Sequence, residues 1–326
     1  MPTKIPWVKN PDGSQGITLN LKTGCLNHVD GKCKGGDFPC YAYRLANGRL
    51  HTRYVSNQLV ANSASFEALT DPFHPRWWAD RFLDAYKLSH RTRHGIFLDD
   101  MSDWMADYWP DEWTRAELDL MRARPLDRFY TLTKQAQNLP PWNPFPDNCW
   151  VGVTACNQKM ADEAIPTLIN IYAGKRYISI EPMLEPIDLT KIEFGRYLPE
   201  NKPYYVNAFE DRYIFGDEGD IELRKIDWVI IGACTGTKPD MLKLIERYPA
   251  LTLMKFGSKW SAQPPIERVE EIVKACDKAG IPVFLKDNLE PLLPVDLPFY
   301  KPAKVSTPTA IELVATVWKI RQELPQ

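Results

Sequence analysis

Three cysteines, Cys25, Cys33 and Cys40, share one loop-like run near the amino terminus, with seven residues in the first gap and six in the second. The run opens on Thr23-Gly24-Cys25, is broken by Gly31, Gly35 and Gly36, and closes on Cys40-Tyr41-Ala42-Tyr43. Thiols gathered this way are a donor set for a metal or an iron-sulfur cluster. A structural zinc takes four protein ligands, and so does a cluster that only carries electrons. Three thiolates on a 4Fe-4S cube would hold three irons and leave the fourth open to a substrate. Glycine reaches positive φ cheaply, so the loop can fold back around a compact group. Lys32 and Lys34 flank Cys33 and favour its thiolate. Two plainer readings compete: a zinc staple that recruits His28 as fourth ligand, and three unconnected thiols.

Such a loop needs a frame. Short apolar runs at 16–21, 95–98, 129–132, 149–153, 177–180, 228–231 and 282–285 read as buried parallel strands. Helical patterns fall between them, at about 75–89, 111–123, 159–172, 239–247 and 266–279, the last stopped by Gly280. This alternation predicts an α/β fold, a parallel TIM-like αβ barrel, partial or complete. One barrel domain is expected over 1–326, with an inserted hairpin region at 193–226 and a carboxyl-terminal extension at 291–326 that ends in a helix from about Thr309 to Glu323. In a parallel barrel chemistry gathers at the carboxyl ends of the strands. Asp99, Asp100, Ser102, Asp103, Thr133, Lys134, Thr154, Cys156, Asn157, Glu181, Lys286 and Asp287 all follow predicted strands there, at the same end as the cysteine loop.

Composition narrows the class further. The chain has 326 residues, 44% hydrophobic and 25% charged, with a formal charge of -2. That excludes a global basic field, so any nucleic-acid contact must be local. Arg44, Arg49, His51, Arg53, Arg76, Arg81, Arg91 and Arg93 read as scattered surface charge. Seven cysteines in a chain this long do not form a disulfide framework. The polar, proline-broken start is not a signal peptide, and no apolar run reaches membrane-spanning length, so a cytoplasmic protein without membrane contact is expected. Cys149, Cys234 and Cys276 sit in apolar patterns and read as core, with Cys234, just after Gly232 at a strand end, kept as a distant site candidate.

Several segments together resemble a known superfamily: the three-cysteine run, Phe97-Leu98-Asp99-Asp100-Met101-Ser102-Asp103, Tyr130-Thr131-Leu132-Thr133-Lys134, Trp150-Val151-Gly152-Val153-Thr154, Ser179-Ile180-Glu181-Pro182-Met183, Asp227-Trp228-Val229-Ile230-Ile231-Gly232 and Phe284-Leu285-Lys286. The chain resembles radical S-adenosylmethionine enzymes, within them a phage-associated, uncharacterised branch with a long-spaced three-cysteine motif. Both cysteine gaps here are longer than is usual in the superfamily.

The resemblance implies a 4Fe-4S cluster on Cys25, Cys33 and Cys40, and S-adenosylmethionine cleaved reductively to a 5'-deoxyadenosyl radical that abstracts hydrogen from a substrate. It implies that Asp99, Ser102 or Asp103 holds the methionine amino group. Thr154, Asn157 and Glu181 become candidates for the ribose hydroxyls and the methionine carboxylate's surroundings. Lys134 and Lys286 are candidates for the cofactor carboxylate or an anionic substrate. Pro39 stands where an adenine-packing aromatic is usual, so Phe38 or Tyr41 must substitute. Cys156 is the candidate hydrogen donor or substrate contact. Nucleic acid is the first substrate class implied, with an electron donor such as flavodoxin or ferredoxin and a companion protein named for the three-cysteine motif as partners. The alternative is a zinc-stapled or cluster-bearing barrel that binds nucleic acid or a partner without radical catalysis.

Overall fold

The computed structural model describes residues 2–63, 65–197, 199–214, 221–293, 299–306 and 314–326. Seven strands form one sheet: β1 (Ile17–Leu19), β2 (Gly95–Leu98), β3 (Arg128–Thr133), β4 (Cys149–Thr154), β5 (Lys175–Ile180), β6 (Trp228–Ile231) and β7 (Val283–Leu285). Each strand pairs in parallel with the one before it, so spatial order follows chain order. The sheet curls into a half-barrel, a partial TIM-like α/β barrel as the alternating pattern predicts.

Helices lie among these strands: α1 (Tyr41–Asn47), α2 (Ala79–Tyr86), α3 (Asp111–Ala123), α4 (Gln158–Ile169), α5 (Lys238–Arg247) and α6 (Ile266–Ala279). Alternation along each strand sends one set of side chains to these helices and the other into the lumen. Ile96, Phe129, Val151, Ile178, Val229 and Val283 belong to the helix-side core. Phe97, Tyr130, Trp150, Tyr177, Trp228 and Phe284 fill the lumen floor. Trp7, from the amino-terminal segment, plugs it, with ring centroids 4.7 Å from Phe97 and 6.1 Å from Trp228. Gly152 belongs to this packing, because a Cβ there would lie 2.2 Å from the Tyr177 ring.

Several expectations need correction. The carboxyl-terminal helix is not there: Val314–Ile320 is a strand, antiparallel to Tyr300–Ser306. Alternating β-branched residues (Val314, Thr316, Ile320) favour the pleated form, and 307–313 lie outside the described residues. The helix expected from about 75 starts later, since Arg76–Trp77 pairs with Lys22–Thr23. Arg76 is fully buried, its guanidinium donating to carbonyls of Asn57, Ala68, Leu69, Asp71 and His74. The region at 193–226 holds two antiparallel ribbons, Ile192–Tyr197 with Lys202–Val206 and Arg212–Ile214 with Ile221–Leu223. Residues 215–220 of the second lie outside the described residues. Among the described residues no helix is long and apolar enough to cross a membrane.

Candidate functional site

The cysteine loop leaves β1 and folds over the carboxyl ends of the strands. Gly24 fixes its entry: its N–H donates to the Met101 carbonyl, and it bridges in parallel to Ser102 on the loop after β2. Only glycine suits this position, because φ is +94° and a Cβ would sit 2.4 Å from the His74 carbonyl oxygen. Cys25 then donates its N–H to Phe73. A two-residue ribbon pairs His28 with Cys33, the Cys33 N–H bonds the Phe38 carbonyl, and the Cys40 N–H returns to Gly31. Cys40 caps α1, accepting the Tyr43 N–H on its sulfur.

The three thiols occupy one patch. Cys33 is buried and Cys25 and Cys40 are half-buried. Cys40 lies within electrostatic reach of both of the others. Burial pushes the Cys25 thiol up to about 12, helped by the nearby Asp103 carboxylate. Burial also raises Cys40. Opposing charge and donors stand close by. Asn27 N–H reaches Cys25 Sγ at 3.2 Å, and Tyr43 N–H reaches Cys40 Sγ at 3.5 Å. The buried Tyr108 hydroxyl faces Cys25. Lys134 stands among Cys33, Asp103, Cys156 and Cys40; burial disfavours its charge, but these four groups outweigh it and raise the ammonium's pKa.

The chemistry of this donor set fits an iron-sulfur cluster. Among the described residues no three His, Cys, Asp or Glu side chains converge as ligands of one metal must. A cube asks for less convergence, because each thiolate takes its own iron. Amide N–H groups aimed at two of the sulfurs, with an ammonium beside them, stabilise the negative charge that ligated sulfur carries. His28 is otherwise engaged. Its Nδ1 accepts the Gly31 N–H, and its ring packs 5.0 Å from Tyr43 and 5.3 Å from Phe73.

Beyond the thiols, strand alternation carries a polar layer above the aromatic floor. Lys134, Thr154, Cys156, Glu181 and Lys286 keep the lumen parity of Tyr130, Trp150, Tyr177 and Phe284. Glu181 and Lys286 form an ion pair, and Gly232 lets both side chains approach. Thr154 Oγ1 is buried without a hydrogen-bond partner. Cys156, fully buried, has Lys134, Cys33, Cys234 and Glu181 around it. Cys234 therefore borders the site rather than lying in remote core, whereas Cys149 and Cys276 pack in the helix-side core. Phe38 sits beside Lys134, its ring centroid 5.9 Å from the ammonium, and the Tyr41 hydroxyl donates to the Asp100 carbonyl.

Four of the expected contacts already have hydrogen-bond partners within the protein, and one of them, Asp103, stays beside Cys25 and Lys134. Asp99 adopts φ +59°, which ends the strand's alternation and turns its carboxyl away from the lumen, leaving it 2% exposed. The Ser102 hydroxyl donates to the Asp99 carbonyl. Asp103 accepts from the Thr133 hydroxyl and the Lys134 N–H. Asn157 caps α4, accepting the Met160 N–H at 2.9 Å. Tyr108 was missed because it reads as one aromatic among many in 104–109. Glu117 was also missed; its signal was an acid on the apolar face of α3.

No curated protein matches the chain. Two solved structures are similar over 86% of this chain and 78% of theirs. One is a cysteine-to-serine mutant of spore photoproduct lyase, at 13% identity and a TM-score of 0.39. The other is a cysteine-to-alanine mutant of that lyase with dinucleoside spore photoproduct, at 14% and 0.41. A family model described as a protein of unknown function, DUF5131, matches residues 2–243, and on that match the chain belongs to the DUF5131 family.

Proposed function

We propose that this chain is a radical S-adenosylmethionine enzyme whose cluster is held by Cys25, Cys33 and Cys40. The observation that carries the reading is the three-thiol patch, with its N–H donors and Lys134, folded over the carboxyl mouth of a parallel half-barrel. When bound, a 4Fe-4S cluster and S-adenosylmethionine supply an electron and a 5'-deoxyadenosyl radical that takes hydrogen from a substrate. The protein binds, orients and shields. Lys134 offsets charge on the sulfurs. Glu181 and Lys286 offer both signs to a zwitterionic methionine end: the carboxylate accepts from the ammonium, and the lysine faces the carboxylate. A ribose hydroxyl would satisfy Thr154 Oγ1, since buried polar atoms are normally paired. Phe38 and Tyr41 are the aromatics beside the loop for adenine, and Cys156 is buried beside Lys134 and Glu181.

The rim supports an anionic substrate or partner. Lys32, Lys34, Arg44, Arg49 and Arg53 are exposed around the loop, and Asp37 is already paired with Lys32 and Arg247. Nucleic acid, an acidic electron donor such as flavodoxin or ferredoxin, and a companion three-cysteine-motif protein fit this charge. A cytoplasmic location suits the oxygen-sensitive chemistry. Anaerobic iron and sulfide analysis, followed by a dithionite assay for 5'-deoxyadenosine, tests the reading. Wild type should be brown and form the product, and Cys40→Ala should lose both. A colourless protein carrying one zinc would support the staple instead, and a brown protein that leaves S-adenosylmethionine intact would support binding without radical catalysis.

A further inference from the structure

Behind the mouth, Lys22, Asp99 and Glu117 form a buried cluster that the proposed chemistry does not use. Lys22 Nζ lies 2.8 Å from Glu117 Oε2 and 3.9 Å from Asp99 Oδ2. It also donates to the Trp104 carbonyl, with Thr114 Oγ1 at 3.5 Å and the Trp109 ring centroid at 5.4 Å. Asp99 Oδ1 accepts the N–H groups of Leu21 and Lys22 at 2.8 and 2.9 Å, and Glu117 Oε2 accepts the Trp104 indole N–H at 3.0 Å. The two remaining oxygens, Asp99 Oδ2 and Glu117 Oε1, are buried and receive no N–H or hydroxyl donor. Both carboxyl groups face the same buried ammonium, and Glu117 lies within electrostatic reach of Asp99. Two ionised carboxylates have only acceptors to offer, and one ammonium neutralises one of them.

We propose that Asp99 and Glu117 share one proton at neutral pH, making the triad neutral, and that Lys22 and Glu117 are positioning residues acting through Asp99 on the cysteine loop. Asp99 ties Leu21 and Lys22 to the turn it begins, and two residues later Met101 holds Gly24, the neighbour of Cys25. Glu117, reaching in from α3, therefore fixes two backbone segments that border the site. Burial and the Glu117 charge raise the Asp99 acid's pKa well above the ordinary carboxyl value, against the pull of Lys22. Asp100 and Cys149 are the other titratable groups that face the pair. The inference stands whether or not the chain binds a cluster.

A raised folded-state pKa means that folding takes up a proton. Its stabilising contribution is complete below the unfolded carboxyl's pKa, about 4, and is lost as pH rises toward the folded-state value. Over that window one proton changes the folding constant about tenfold per pH unit. Infrared difference spectra of wild type against Asp99→Asn at neutral pH should show a protonated-carboxyl C=O band that shifts in D2O. Asn keeps the carbonyl for Leu21 and Lys22 and gives its N–H to Glu117, so the variant should fold and lack the tenfold slope. Glu117→Gln should also lose the band, because Asp99 then ionises against Lys22. Amide exchange at Gly24 should quicken in Glu117→Ala and stay slow in Asp99→Asn. No such band in wild type, its survival in both variants, or equal pH slopes overturns the shared proton. Unchanged Gly24 exchange in Glu117→Ala overturns the positioning role.

Discussion

The floor and the mouth of the half-barrel are built from the same seven strands and solve opposite problems. On the floor, alternate lumen positions carry Phe97, Tyr130, Trp150, Tyr177, Trp228 and Phe284, packed against Trp7. Nearer the carboxyl ends, the lumen positions carry Lys134, Thr154, Glu181 and Lys286. At the amino ends a cavity of about 650 Å3 is lined by Lys175, Asp227, Asp277, Arg321 and Glu323, among others. Most of its charges pair with one another: Lys175 with Asp227, Arg321 with Asp277 and Glu323, and Lys301 with Glu323. The mouth instead holds an orphaned Thr154 hydroxyl and thiols whose pKa values burial has raised. The cavity at the amino ends is lined by ion-paired residues, whereas the mouth carries an unpartnered hydroxyl and buried thiols.

The largest test of this division is Trp228→Ala. The ring is fully buried, with neighbours at 5.5 Å (Tyr177) and 6.1 Å (Trp150, Phe284), and its indole N–H donates to the Glu323 carbonyl. Truncation should cost about 3–5 kcal/mol, read by urea unfolding. Iron binding at low temperature should survive, because no cysteine of the loop touches the floor cluster. Cys40→Ala is the mirror image: all iron lost, with a small change in melting temperature. If Trp228→Ala lost its iron while still folded, floor and mouth would be one unit.

Gly24→Ala should fall between these extremes. It forces a side chain into a left-handed backbone and against the His74 carbonyl, for a cost of about 1–3 kcal/mol. The strain is delivered next to Cys25, so iron occupancy should fall more than the melting temperature does. A variant with full occupancy would show that the entry turn does not register the first cysteine.

Much of this was legible in sequence because it follows from periodicity. Seven short apolar runs became seven parallel strands, and the residues after them reached one end. What failed depended on a single dihedral or a local cap. Asp99 follows a lumen-facing phenylalanine by two and should share its face, but a φ of +59° turns it to Lys22 and Glu117. Asn157 reads as a ligand contact and caps a helix, a role that needs only the first helical turn after it. Val314–Ile320 carried enough helix-compatible residues to mislead, and its pairing with Tyr300–Ser306 is a tertiary fact that local pattern does not encode.

The smallest effect expected is the most specific to the mouth. Glu181 and Lys286 have side chains 27% and 20% exposed, so their mutual attraction is partly screened and contributes about 1 kcal/mol or less to stability. Lys286→Met keeps the aliphatic stem against Gly232 and removes the charge. Unfolding should therefore change by no more than about that amount. A charge-assisted hydrogen bond to a bound carboxylate has more at stake, about 1.5–3 kcal/mol, so affinity for S-adenosylmethionine should drop at least about tenfold. Equilibrium binding to reconstituted protein, at low and high salt, measures this. A drop in affinity without a matching drop in stability marks a ligand contact; equal losses in both would return Lys286 to the role of a strand-end ion pair like those at the floor.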